Sequence, residues 1–269
     1  MDQTRYKREA EFHDAVFAED GRKSTAKFYS ITHSSSKAFY RDYLASHCAG
    51  KRVLEYGCGA DSHSVRIAAD GGNVTSIDLS PVAVAINRDG VRTEGGGSAS
   101  FSIMNAELLA FADSSFDLVC GNGILHHLNL ESAYSELARV LKPGGSAIFL
   151  EPLGHNPLIN LYRKLTPALR TPDEHPLMAV DLAQAQDHFA GTDITYFHLT
   201  ALAAVPFAGK KGFNTMVSAL ESFDQTLFRN ARWLRKHAWA IAMVLSRPRK
   251  KTAEQATEAA RRVSSAVRS

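Results

Sequence analysis

Arg52-Val53-Leu54-Glu55-Tyr56-Gly57-Cys58-Gly59-Ala60 is the stretch around which the chain is organised. Apolar and aromatic residues flank a single acid, and two glycines then alternate with a small residue. Such a run reads as a buried strand that ends in a tight turn. Ser64-Val65-Arg66-Ile67-Ala68-Ala69 can begin a helix just beyond it. Glycine lacks Cβ and tolerates positive φ, so the backbone of this turn can approach a ligand closely. In an open parallel sheet, ligands bind beside strand ends of this kind.

Downstream, strands and helices alternate. A strand at 73–78 follows a helix at 62–70. Ser80-Pro81 supplies an N-cap and a proline at the first helical position, opening a helix to about Arg88. Further strands are expected at 99–104, 116–120 and 146–150, with a helix at 130–141 that stops at Lys142-Pro143-Gly144-Gly145. This rhythm implies βαβ units and a mainly parallel sheet. Residues 152–177 break it with five prolines, around a helix near 158–165; a loop this long in a compact domain is usually functional. A helix at 179–189, a strand at 194–205, a helix at 215–234 and a strand at 238–246 complete the pattern. Residues 1–50 read as helical cover, with a lid over a site as the minority reading and the polar run 22–36 as its mobile part. Residues 247–269 are a basic, polar tail, expected to be frayed or disordered.

Composition narrows the function. A length of 269 residues suits one α/β domain with insertions or two small domains, and 45% hydrophobic residues suit a globular fold. Cys48, Cys58 and Cys120 form no CxxC pair, which argues against structural zinc and a disulfide framework and for a reducing, cytoplasmic setting. The first residues have no apolar signal region, and the longest apolar run, 238–245, is far too short to span a bilayer. A net charge of +3 with no basic stripe disfavours a nucleic-acid partner.

Val53-Leu54-Glu55-Tyr56-Gly57-Cys58-Gly59 resembles the first motif of class I S-adenosylmethionine (SAM)-dependent methyltransferases. Later stretches agree in order and spacing. Asp78 ends the second strand; Asn105-Ala106-Glu107 and Phe111 to Val119 resemble the adenine-side loop and fourth strand. Gly123-Ile124-Leu125-His126-His127-Leu128 resembles the exit from that strand, and Arg139 to Gly145 the entrance to the fifth. The likeness is strong over about 50–153 and weak over 179–246. The rival is a nicotinamide Rossmann domain, whose fingerprint wants a third glycine where Ser62 stands.

The resemblance implies a Rossmann-like, doubly wound, seven-stranded α/β sheet, mainly parallel, with an antiparallel last strand inserted beside the sixth, and helical cover and insertions. It places a methyltransferase domain at 51–246, with insertions at about 152–177 and 206–236. It implies SAM as cofactor and S-adenosylhomocysteine (SAH) as product. Asp78 would take the ribose hydroxyls, Glu55 would order the turn and meet the cofactor amine, and Gly57, Cys58, Gly59 and Leu79 would line it. Asn105, where the family commonly has aspartate, and Ala106 would meet the adenine, with Gly121 beside the methyl donor.

His126 and His127 stand where substrate and methyl should meet, and either suits a general base; a structural role for one of the two is as plausible. Glu151, Asn156, Arg163, Asp173 and Glu174 are candidate substrate contacts at the site's mouth. Asp173-Glu174-His175 sits between prolines, with His175 a third candidate base; its plain alternative is a helix cap paired with Arg163 or Arg170. One histidine in that cluster, without CxxC, argues against metal. The apolar face of the 215–234 helix is core or cover by default, with peripheral membrane contact the alternative because Arg229, Arg232, Arg235 and Lys236 follow. The expected reaction is methyl transfer to a small-molecule oxygen, nitrogen or carbon. The alternative is a catalytically silent SAM- or SAH-binding regulatory module. Oligomeric state is not legible.

Overall fold

The computed structural model describes residues 3–18, 29–32, 35–60, 62–94, 98–167, 171 and 174–250. Its centre is one seven-stranded sheet in the order β3-β2-β1-β4-β5-β7-β6. The strands are β1 (Arg52–Tyr56), β2 (Asn73–Asp78), β3 (Ala99–Ile103), β4 (Phe116–Asn122), β5 (Leu141–Pro152), β6 (Phe189–Phe197) and β7 (Ala240–Pro248). The first five pair in parallel, and β7 lies antiparallel between β5 and β6, as the sequence led us to expect.

The helices are α1 (Gln3–Ala18), α2 (Ser36–His47), α3 (Ser64–Ala69), α4 (Pro81–Glu94), α5 (Leu130–Val140), α6 (Pro157–Leu165), α7 (Ala179–His188) and α8 (Phe213–Asn230). Both faces of the sheet are covered. One core joins Leu54, Tyr56, Val119 and Phe149 to Leu137 of α5 and Leu182 of α7. The other joins Val53, Val74, Leu118 and Ile148 to Tyr40 and Leu44 of α2. This two-sided burial explains why 147–150 of β5 and 240–245 of β7 read as continuous apolar runs. A third cluster ties Ile159 of α6 to Val217 of α8 and Trp239, so the proline-rich insertion and α8 share one small core.

Several boundaries differ from the sequence reading: α4 runs to Glu94, past the expected end near Arg88, and α8 stops at Asn230, with a 3-10 helix over Arg232–His237 where the helix was expected to reach about Leu234. The strand expected over 194–205 is β6, which ends at Phe197; Thr200–Phe207 is a 3-10 helix. The chain turns at His198, where φ is +63°. Buried Asp224 of α8 then accepts the backbone N–H groups of Leu199, Thr200 and Ala201, at 2.8, 2.8 and 3.2 Å, and β-propensity yields to this cap. Lys142 to Gly145 breaks the helix as expected but lies inside β5, where the pairing with β4 shifts register between Phe116 and Leu118. Among the described residues, no helix is long and apolar enough to cross a membrane. The tail expected to fray from residue 247 starts ordered, since Arg247 and Pro248 belong to β7 and Lys250 Nζ donates to the Ala138, Arg139 and Leu141 carbonyls; most of the polar run 22–36, and the chain beyond residue 250, fall outside the described residues.

Candidate active site

The β1 turn and the end of β2 are fastened together by one carboxylate. Gly57 and Gly59 have φ of +75° and +53°, and the N–H groups of Gly57 and Cys58 both donate to Ile77 O at 3.0 Å. Asp78 Oδ2 accepts Gly59 N–H at 2.8 Å and Oδ1 accepts Ser80 N–H at 2.9 Å. Burial pushes the Asp78 carboxyl up, opposed by those two N–H donors. A carboxylate offers about four lone-pair sites, so two remain to take a diol. Leu79 beside it is partly exposed.

Glu55 is 3% exposed. Its oxygens accept from Ser62 Oγ (2.5 Å), His63 N–H (2.6 Å) and Ser76 Oγ (2.7 Å). Burial still raises its carboxyl above the ordinary range. It therefore orders the turn and holds Ser62, the residue at the expected third-glycine position. Asn105 Oδ1 accepts Glu107 N–H at 2.9 Å, and Ala106 O accepts the Tyr56 hydroxyl. Gly121 is buried; a Cβ there would stand 2.7 Å from Phe149 Cε1 and 2.8 Å from Ile124 Cγ2.

The two histidines after β4 divide. His126 Nδ1 lies 2.7 Å from Glu151 Oε2, while Glu151 Oε1 accepts the N–H groups of Ile124 and Leu125 at 2.9 and 2.8 Å. Glu151, expected at the mouth, is 1% exposed; it shapes the turn that carries the histidines and is not placed to meet a substrate. His127 lies under α1. Burial and the neighbouring His126 push its imidazole down, partly opposed by Glu9. His13 packs edge-on against it, with ring centroids 5.1 Å apart.

The remaining expected contacts separate as well. Asn156 is buried; its Oδ1 caps α6 through Leu158 and Ile159 N–H at 3.0 and 3.2 Å, and its amide donates to His237 O at 2.6 Å. Both ends of that side chain are thus structural. Arg163 and Glu174 pair with each other at 2.8 Å, and Glu174 Oε1 stands 4.0 Å from His126 Nε2. His175 is exposed and donates its backbone N–H to His126 O at 3.1 Å. Asp173 lies outside the described residues. Two hollows, of about 190 and 250 Å³, flank Tyr196 beside β6 rather than the β1 turn.

Residues 54–149 match the family model described as a methyltransferase domain. Over those residues the chain is similar to methyltransferase domains. Ubiquinone biosynthesis O-methyltransferase of Azoarcus sp. (strain BH72) is 36% identical over 119 residues, which are 43% of this chain and 50% of that protein. Ubiquinone/menaquinone biosynthesis C-methyltransferase UbiE of Hydrogenovibrio crunogenus (strain DSM 25203 / XCL-2) is 39% identical over 82 residues, 30% of this chain and 32% of that one. The chain thus matches about half the length of the first of these relatives and a third of the second. Among solved structures, phosphoethanolamine N-methyltransferase 2 of Haemonchus contortus superposes with a TM-score of 0.63 at 15% identity, covering 89% of this chain and 60% of that one. At that identity the likeness speaks for the fold.

The N-terminal helix is the part of the site that the sequence left least legible. Arg5 donates to Glu107 and, at 2.9 Å, to His127 O. The Tyr6 hydroxyl donates to Glu107 at 2.9 Å. Glu9 approaches His127, and Asp14 accepts from Ser80 Oγ. Helix α1 therefore spans the site from the histidine turn to the end of β2. The available signal was Glu9-x-x-x-His13-Asp14, three polar groups on neighbouring helical positions beside buried partners. Asn87 of α4 was also missed: its amide donates to Gly59 O and to Ala83 O, bracing the glycine turn.

Proposed function

We propose that this chain binds SAM at the β1 turn and transfers its methyl group to a small-molecule acceptor. The observation that carries the reading is the Gly57–Gly59 turn locked to Asp78, with acceptor capacity left on the carboxylate, at the strand ends where an open α/β sheet receives ligands. Asp78 would hold the ribose hydroxyls, the backbone from Gly57 to Gly59 the methionine end, Asn105 and the Ala106 backbone the adenine edge, and Gly121 O the methyl end. Glu55 acts on the cofactor amine through the turn it orders, since three donors already occupy its carboxylate. When bound, SAM supplies the electrophilic methyl group. The protein aligns the acceptor in line with it and excludes water, which is where much of the acceleration would arise. Helix α1, lying over His127 and Ser80, supports the water-exclusion role.

Removal of the acceptor's proton belongs with the buried cluster around His127. His126 is engaged with Glu151, and His175 is exposed. His127→Ala should therefore slow turnover by about a hundredfold, within the range typical of general acid–base groups, and His175→Ala by less than about threefold. Equal loss, or none, in both would remove the assignment. Transfer of label from methyl-labelled SAM into a pool of small metabolites tests the enzyme reading; SAH binding without transfer to any pool would favour the regulatory module. The relatives' names support an O- or C-methyl acceptor in quinone-type chemistry. A reducing, cytoplasmic compartment is supported by three free, buried cysteines. Peripheral membrane contact draws support from Leu158, Leu161 and Leu165, exposed along one side of α6.

A further inference from the structure

Three metal-ligating side chains from two distant parts of the chain converge where α1 crosses the site. Glu9 and His13 are four residues apart on α1 and so share a face; His127 comes from the turn after β4. Glu9 Oε2 lies 3.5 Å from His13 Nε2 and 3.2 Å from His127 Nδ1. All three donor atoms lie within 4.8 Å of one another. Donors bound to one tetrahedral ion at 2.0–2.1 Å stand about 3.4 Å apart, a value that the two distances from Glu9 Oε2 bracket.

The polar bookkeeping points the same way. Glu9 is 6% exposed, yet neither of its oxygens, nor His127 Nδ1, has an aligned hydrogen-bond partner. A buried carboxylate needs a paired charge, and a cation between the three donors would supply one. A second cluster, His126, His127 and Glu174, shares His127. Its carboxylate is already paired with Arg163 at 2.8 Å, and that guanidinium repels a cation. The lid cluster is the better site.

We propose that Glu9, His13 and His127 bind one divalent transition-metal ion of the zinc class, which fastens α1 over the active site. Two imidazole nitrogens and one carboxylate suit Zn²⁺, Co²⁺ or Fe²⁺ rather than Mg²⁺ or Ca²⁺. Three protein ligands leave a position open, as in catalytic zinc sites. On the methyltransferase reading, on which this extension rests, that position takes an acceptor oxygen and makes its hydroxyl more acidic. With His127 engaged as a ligand, the metal takes over from the base role assigned to it above: the O–H proton passes to water and the oxygen pair forms the bond to the methyl carbon. The methyl–sulfur bond breaks with its electron pair returning to sulfur. The acceptor class is then a hydroxylated or enolic metabolite able to coordinate a metal.

The test titrates the chelator-treated full chain with Zn²⁺ by calorimetry and with Co²⁺ by visible absorption. Wild type should bind one ion per chain, with Co²⁺ bands of a nitrogen- and oxygen-ligated site. Glu9→Gln and His13→Asn should each weaken binding by at least about tenfold, since even outer-shell losses at metal sites cost 10–100-fold. Glu174→Gln should change it by less than about threefold. Zn²⁺ should also slow amide exchange across α1 in the wild-type chain, a readout that does not depend on how any variant folds. No saturable binding, unchanged affinity in Glu9→Gln, loss confined to Glu174→Gln, or unaltered exchange in α1 would each overturn the site. SAH titrated into the same sample separates the two ideas: SAH binding where Zn²⁺ fails to bind overturns the metal site alone, and failure of both to bind overturns the methyltransferase reading too.

Discussion

Gly57 is held at φ +75°, and a Cβ there would stand 2.7 Å from Ile124 Cδ1. Gly57→Ala combines left-handed strain with a collision and should lower stability by about 1–3 kcal/mol, read as a lower urea midpoint at unchanged slope. Gly121→Ala meets Phe149 and Ile124 without the strain and should cost about as much through overpacking alone. The three thiols make a second residue-scale prediction. Cys48, Cys58 and Cys120 are 0%, 5% and 0% exposed, and burial pushes each thiol up. The reactive thiolate is thus scarce at pH 8. A disulfide reagent should label the native chain slowly and the urea-unfolded chain fast at all three; fast labelling of the native chain would contradict this burial. At this scale the sequence was legible wherever backbone geometry dictates the residue, as at Gly57 and Gly59. It was poorly legible where a polar side chain could face ligand or core. Glu151 and Asn156 carry the same groups a substrate contact would, and only the fold reveals that Ile124, Leu125, His126 and the start of α6 take them up.

Element boundaries were read well where periodicity and caps agree and poorly where a distant side chain intervenes. Ser80-Pro81 announced α4, and Ser80 Oγ accepts Ala83 N–H at 3.0 Å as an N-cap does. The end of β6 depends on Asp224, 25 residues beyond Leu199, which no local pattern reports. Asp224→Ala would strand three backbone N–H groups and the Thr200 hydroxyl. It should destabilise the chain by about 1–3 kcal/mol, seen as a lower melting temperature; a surface-like change of under about 0.5 kcal/mol would sink this account of the turn. A buried relay reinforces it. Ser36 Oγ lies 2.8 Å from His198 Nε2, and His198 Nδ1 meets Glu221, joining the start of α2 to α8 through the turn. The position of α1 was the least legible element. Its docking to Glu107, His127 and Ser80 is polar and long-range, so helical spacing marks the helix and not its partner.

At the scale of the whole molecule, strand order follows from the alternation of strands and helices, from the right-handed crossovers this imposes and from the resemblance that placed the last strand antiparallel. The site follows from the order. β1 and β4 are neighbours at the middle of the sheet, with connections leaving to opposite sides, so their carboxyl ends open the crevice. Gly57, Asp78 and Gly121 meet there although 64 residues separate the first from the last. What the topology leaves open is the acceptor, because its walls come from α1 and the insertions, which follow no shared pattern. The central claim is that this crevice binds SAM through Asp78, and isothermal titration with SAH tests it most directly. The account predicts one SAH per chain and a loss of at least tenfold in affinity for Asp78→Ala, about 1.4 kcal/mol. No binding, or equal affinity in a folded Asp78→Ala chain, would contradict it.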